Sequence, residues 1–392
     1  MQSTDVIVVG GGIHGVGVAQ AAAAAGHGVL LLEKTALAAG TSSRSSKLIH
    51  GGLRYLETAQ FRLVRESLRE RATLLRIAPE LVALKPFYIP VYRGMRRNAW
   101  QLRAGLALYA GLGGLGADCR FQEIPRRQWG QLGGLRSADL QTVFCYFDGQ
   151  TDDALLTRAV MNSACVLGAV LHLPAEFAHA EVREDQVIVR YSMAGQDMEC
   201  ESKVLVNAGG PWASQIASRM TPARSAPALE LVRGTHILLA DRARDGIFYL
   251  ENPRDGRAVF VMPRGSQTLV GTTEARYDGD PDQVQPLPGE VDYLLEVLRH
   301  YFQCDANAEA AEVLDSWAGL RVLPAGRSAT FARSRETIFD LNDPQCPRVI
   351  SIYGGKLTTY RATAERVLSK LAPSLPVRRR RARTEELRLT PA

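Results

Sequence analysis

The sequence predicts an α/β fold: a Rossmann-like dinucleotide-binding domain interleaved with a strand-rich α+β substrate domain. Three observations carry this reading. A short apolar run, DVIVV at residues 5–9, leads into the glycine triplet Gly10, Gly12 and Gly15 and then into an alanine-rich helical stretch over 13–25. Further α/β pieces stand in the middle, VLVNAGGPW from residue 204, and near the end, VISIYGGKLTTYRATAERVL from residue 349. Between them lie short strands broken by PRDG- and PRGS-like turns, above all over 229–274. One domain interrupted twice by another explains that order. The expected division is 1–80, 143–220 and 325–372 for the nucleotide-binding domain, 81–142 and 221–324 for the substrate domain, and 373–392 for a disordered basic tail.

The elements follow in order. The strand at 5–9, the helix at 13–25 and the strand VLLL at 29–32 make a βαβ unit. Glycine permits the tight turn and the close approach of a pyrophosphate, whose charge the helix amino terminus meets. Glu33 ends the second strand, 23 positions after Gly10, where a ribose-binding carboxylate is expected. His14 sits in the turn, either as a ligand contact or only as a solvent-exposed or capping side chain. The stretch TSSRSSKLIHGG starts at residue 41, and the hydroxyls of Thr41, Ser42, Ser43 and Ser46 suit phosphate or flavin oxygens. A serine-rich turn capping a helix is the plainer alternative. Helical spacing runs over 57–78 and Pro79 stops it. Residues 81–142 are heterogeneous; then come a helix at 152–167, a strand at 170–173, a hairpin-like stretch at 177–189, a buried strand at 204–207 and a helix at 291–302.

Bulk composition narrows the class. Apolar residues make up 46% and charged residues 22%, as in soluble globular proteins. The six cysteines form no CxxC pair and no zinc-like cluster, so neither a disulfide framework nor a structural metal is expected. No cleavable leader is read at the start. The glycine-rich stretch 102–115 is apolar, but arginine interrupts it and it is too short to span a bilayer, which leaves a buried helix or a membrane-surface contact. Residues 378–392 hold six arginines and two glutamates and so supply four of the six net positive charges. The high pI therefore does not mark a nucleic-acid-binding fold, and weak attraction of the tail to anionic lipid or to RNA is the functional reading.

A base that moves a proton at a reacting centre is sought first among imidazoles, which titrate near neutrality. His50, in KLIHGGLRYL, and His236 are both candidates. Arg54, Arg321 and Arg335 offer planar cationic forks for an anionic group. Arg321 stands in the otherwise apolar WAGLRVL. Lys356 follows two glycines and precedes a helix, where it favours negative charge on flavin or substrate alkoxide, or only caps and packs.

The long ordered motifs VIVVGGGIHGVGVAQAAAAAGHGVLLLEK, TSSRSSKLIHGGLRYLE, VNAGGPWA, RGTHILL, VFVMPR, TLVGTTEARYDGDP and YGGKLTTYRATAE resemble those of the FAD-dependent glycerol-3-phosphate dehydrogenases, within the D-amino-acid-oxidase-like flavoproteins. The resemblance runs from residue 1 to about 370. It implies bound FAD, oxidation of sn-glycerol 3-phosphate to dihydroxyacetone phosphate, a membrane quinone as electron acceptor, and a cytoplasmic protein peripheral on the inner face of the membrane. Carried over, Gly10, Gly12, Ile13, His14, Gly15, Glu33, Lys34, Thr41, Ser42, Ser43, Ser46, Lys47 and Leu48 would hold the cofactor. So would Ala208, Gly209 and Trp212, and Gly354, Gly355, Lys356, Leu357 and Thr358. Arg54, Tyr55, Arg321 and Arg335 would hold substrate, and His50, His236, Arg321 and Lys356 would serve the chemistry. The chain departs from the family pattern in GLRVLPAGR, in His14 of the glycine turn, and in ending soon after the last motif instead of continuing into a helical domain. Other readings are oxidation of another small hydroxy acid or amine on the same scaffold, and a non-catalytic flavin- or RNA-binding protein.

Overall fold

The computed structural model describes residues 2–240, 246–302, 312–325 and 336–391. Among them are seven α-helices: α1 Ile13–Ala25, α2 Phe61–Ile77, α3 Ala99–Leu112, α4 Asp153–Val166, α5 Ala213–Ser218, α6 Pro288–Tyr301 and α7 Tyr360–Leu371.

The first sheet has nine strands among the described residues. Its parallel centre runs Val29–Leu32, Gln2–Val9, Gln196–Asn207, Val349–Tyr353, with Val6 set between Val29 and Val204. The VLLL and VISIY strands are buried throughout, because both sheet faces are covered. On one face α1 packs against α4 and α7. Small residues permit that approach: a Cβ at Gly17 would stand 2.8 Å from the Tyr360 ring. On the other face Phe177, Tyr191 and Met220 close a second apolar cluster.

The second sheet has ten strands among the described residues, led by the antiparallel pairs Val82–Tyr92 with Leu140–Thr151 and Leu229–Leu239 with Val313–Pro324. Helices α2 and α3 cover Phe87 and Phe144 on one face, and α6 covers Phe248 and Ile237 on the other. The interleaving expected from the sequence is therefore present, and the α/β region carries the glycine turn.

Two expectations need correction. The sequence pattern places residues 143–151 in the nucleotide-binding domain, but the strand Leu140–Thr151 pairs along its length with Val82–Tyr92 in the other sheet. The basic tail is not disordered. Arg378 pairs with Asp5 at 3.0 Å, Arg361 of α7 donates to Thr384 at 3.0 Å, and Leu389 is 1% exposed. The amides of Arg381 and Ala382 donate to Ala24 O, and that of Leu389 to Ile77 O. Carbonyls at the carboxyl ends of α1 and α2 lack partners within their helices, and the tail supplies them.

Candidate active site

The glycine turn is held by its own backbone. Gly10 has φ +109°, and a Cβ there would lie 2.6 Å from Ala208 O. A Cβ at Gly15 would lie 1.9 Å from Gly10 O. No other residue type fits either position without moving the chain. Glu33 closes the turn: Oε2 accepts from Gly11 N–H at 2.7 Å and Oε1 from Thr35 N–H at 2.8 Å.

Above this turn lies a cavity of about 530 Å³. Its walls include Gly10, Gly12, Ile13, His14, Glu33, Lys34, Thr41, Ser42, Ser46, Leu48, His50, Tyr55, Ala208, Gly209, Trp212, Arg321 and Gly354–Thr358. Residues expected at the cofactor from four separate stretches of sequence thus meet in one place. The wall carries unsatisfied polar atoms, since His14 Nδ1 and Trp212 Nε1 are buried without hydrogen-bond partners. Burial, with Arg366 nearby, holds His14 down to about 4, so its imidazole is neutral. Its ring crosses to the second glycine turn, where a Cβ at Gly355 would lie 2.4 Å from His14 Nε2. A long slot, a glycine turn open to a pyrophosphate, a carboxylate at the second strand's end and spare polar atoms fit a flavin dinucleotide.

Some expected residues lie elsewhere. Gly15 and Ser43 sit behind the wall, Ser43 Oγ–H donating to Gly40 O. Lys47 also stays out of the cavity. Its ammonium is buried on Asp153 of α4 and donates to Ser43 O at 3.1 Å. Lys34 lies on the rim, 3.0 Å from Asp282 and over the Trp212 ring. Arg335 falls outside the described residues.

A smaller pocket of about 100 Å³ opens beside the first and shares Ser46, Leu48, His50, Tyr55 and Arg321 with it. Arg54 lines it as expected, and so do residues that sequence reasoning missed: Tyr146, Tyr249, Arg257, Phe260, Thr272 and Glu274. Arg257 donates to Glu274 O at 2.9 Å, and its Nη2 stands 3.3 Å from the Glu274 carboxylate. The PRDGR turn ahead of VFVMPR was the only local sign of Arg257.

The two histidines differ in position. His50 lines both spaces, its N–H donating to Thr358 Oγ1 at 3.1 Å and its ring edge-on to Phe260. His236 lines neither. It is buried beneath Ser46, with Nε2 at 3.0 Å from Ser46 Oγ, and its ring stacks on Trp317. Burial, with Arg321 and Lys47 nearby, holds His236 down to about 3. Lys356 Nζ lies 3.8 Å over the Tyr55 ring and 3.4 Å from Ser67 Oγ of α2.

A Rossmann-like sheet with a dinucleotide slot that opens on a small cationic pocket defines a flavin-dependent oxidoreductase. The chain belongs to the FAD-dependent oxidoreductase (DAO) family, whose model matches residues 5–365. It is 36% identical over 392 residues to D-erythritol 1-phosphate dehydrogenase of Brucella abortus, covering 96% of this chain and 75% of that one. It is 38% identical over 377 residues to glycerol-3-phosphate dehydrogenase of Pseudomonas aeruginosa, covering 94% and 72%. The glycerol-3-phosphate dehydrogenase of Bacillus halodurans complexed with FAD superposes with a TM-score of 0.73 at 27% identity, covering 99% of this chain and 68% of that one. The protein binds FAD and is an oxidoreductase of small molecules.

Proposed function

We propose that the protein oxidises sn-glycerol 3-phosphate to dihydroxyacetone phosphate and passes the electrons to a membrane quinone. One observation carries the reading: Arg54, Arg257 and Arg321 converge on the small pocket where it meets the cofactor slot at His50. Several guanidinium forks suit a phosphate dianion, whereas an amino acid or hydroxy acid carboxylate needs only one. Similarity to glycerol-3-phosphate dehydrogenases supports it. A longer polyol phosphate is the second reading. It is favoured by the similarity to a D-erythritol 1-phosphate dehydrogenase and by Glu274 in the pocket wall, an acceptor for a further hydroxyl.

FAD supplies the hydride-accepting centre. The Gly10–Gly15 turn and Glu33 would hold its dinucleotide half, and Gly354–Thr358 with Ser46 and Leu48 its reactive half. His50 accepts the proton of the substrate hydroxyl, being the histidine that borders both spaces. His236, neutral and behind Ser46, orients the Ser46 hydroxyl and does not reach the substrate pocket. Lys356 and Arg321 favour negative charge as the hydroxyl loses its proton.

The acceptor lies in the membrane on this reading, and the protein docks there from the cytoplasmic side. No described helix is long and apolar enough to cross a bilayer. Instead α3 and the turn after it expose Trp100, Ala104, Leu108 and Leu115 beside Arg103, an interfacial pattern facing anionic lipid.

The test is anaerobic addition of sn-glycerol 3-phosphate to the yellow holoprotein, following loss of flavin absorbance. Bleaching, with reoxidation faster by a soluble quinone than by air, is expected. A holoprotein that stays yellow refutes the reading, and bleaching by erythritol 1-phosphate alone selects the second. Arg321→Ala should weaken substrate binding about 10–100-fold, the loss of one or two charge-assisted hydrogen bonds, with a smaller change in the reduction rate constant. Co-sedimentation with anionic vesicles, lost in Trp100→Ser/Leu108→Ser, tests the docking.

A further inference from the structure

The glycine pair after His50 is pressed against a buried polar chain outside both cavities. Gly51 N–H donates to Tyr109 Oη at 2.8 Å, and a Cβ at Gly51 would lie 2.5 Å from that oxygen. Tyr109 O–H, on α3, donates to Asp148 Oδ2 at 2.6 Å. Asp148 Oδ1 accepts from Arg71 Nη1 of α2 at 2.7 Å. Arg71 is anchored further by Phe147 O at 2.8 Å and by the Asp118 carboxylate at 2.6 Å. Arg71 and Asp148 have no solvent exposure, and Tyr109 is 1% exposed.

The direction of these bonds is fixed by chemistry. Asp148 with Arg71 beside it takes the phenol proton as an acceptor, so the Tyr109 oxygen presents a lone pair to Gly51 N–H. Burial, then Asp148, push the Tyr109 phenol well above its usual range, so it keeps that proton. His50 is thereby clamped on both peptide units: its own N–H on Thr358 and the next N–H on Tyr109. One turn before Arg71, Ser67 of the same helix touches Lys356 Nζ. A buried network of this kind is costly unless its groups are paired, and once paired they hold one another in a fixed geometry. Its sole outlet toward either cavity, among its described hydrogen bonds, is the backbone after His50.

We propose that Tyr109, oriented by Asp148 and Arg71, is a positioning residue that fixes the imidazole of His50 at the junction of the cofactor slot and the substrate pocket. It touches neither space itself. The proposal deepens the oxidative reading above and rests on it for the role of His50.

The test uses the FAD-loaded protein and Tyr109→Phe, which removes one oxygen and keeps the ring. Tyr92→Phe is the control. Tyr92 is also buried and donates to a carbonyl at 2.6 Å, but it lines neither space. Flavin reduction by sn-glycerol 3-phosphate should slow about tenfold in Tyr109→Phe, with substrate affinity within about twofold and FAD content unchanged, since misplacing a reacting group acts on rate. Tyr92→Phe should lose similar thermal stability without slowing reduction. A Tyr109→Phe rate equal to that of Tyr92→Phe, or a loss confined to affinity, overturns the proposal. Ring-labelled histidine spectra give a second reading that needs no substrate. The His50 signal should move or broaden in Tyr109→Phe while that of His172, on an edge strand of the first sheet and outside the Tyr109 network, stays put. An unmoved His50 signal overturns the proposal. If sn-glycerol 3-phosphate fails to reduce the wild type, the substrate reading falls and these spectra alone decide. Should Tyr109→Phe not fold, Asp148→Asn carries the same spectral test.

Discussion

Replacing Lys47 by Met separates a cofactor contact from a structural ion pair. The Lys47 ammonium is 6% exposed and the Asp153 carboxylate is fully buried. The other carboxylate oxygen accepts Ser45 N–H at 3.0 Å and Ser45 Oγ–H at 2.6 Å. Met keeps the length and apolar stem of lysine but leaves Asp153 facing only neutral donors. Removing one partner of a buried pair costs roughly 3–5 kcal/mol, because the remaining charge is left uncompensated. The Ser45 and Ala154 donors that stay in place argue for the lower end, about 3 kcal/mol. For a chain of 392 residues that corresponds to a Tm lower by roughly 4 °C. Adding Asp153→Asn should restore about 2 kcal/mol, since no buried charge then stands alone. Thermal unfolding of holo and FAD-free protein is the assay, with release of flavin fluorescence as the second signal. FAD-free protein of unchanged stability, together with weakened FAD binding, would refute the reasoning and return Lys47 to the cofactor.

Three further outcomes follow from the same geometry. Gly15→Ala should yield colourless protein with little bound FAD, because the new methyl overlaps Gly10 O and forces the turn apart; a fully loaded variant refutes that account. His236 stays neutral when folded down to about pH 3 but takes a proton near 6.5 when unfolded, so its folded pKa is depressed. Above neutrality it does not affect stability, and as pH falls from about 6.5 toward 3 it destabilises by up to about 1.4 kcal/mol per pH unit. His236→Gln should therefore flatten the drop in urea midpoint between neutral and mildly acidic pH, and an unchanged slope assigns the acid sensitivity elsewhere. Deleting everything after Pro376 should lower Tm by several degrees, through loss of Leu389 burial and the Arg378–Asp5 and Arg361–Thr384 contacts, whereas a disordered tail would leave Tm unchanged.

The sequence alone determined what short-range backbone rules determine. Helix α1 runs Ile13–Ala25 as its alanine pattern requires, and Gly10, Gly12 and Glu33 meet at the slot because strand, turn and helix permit one arrangement. The motifs at Thr41, Ala208 and Gly354 were legible for the same reason: each is a turn whose residue types state its backbone. Tertiary structure decided what depends on partners across the fold. Lys47 reads as a ligand until Asp153, 106 residues away, is seen to hold it. Arg257 and Glu274 reach the small pocket from two loops, each just ahead of a strand, and the turn that precedes Arg257 does not show that the two side chains meet. The arginine-rich tail looks disordered because charge repels charge in sequence, yet Arg378 finds Asp5 373 positions earlier. Of His50 and His236, equal as imidazoles, only one borders both spaces, because a one-residue change of strand face or loop decides which side chain reaches a cavity.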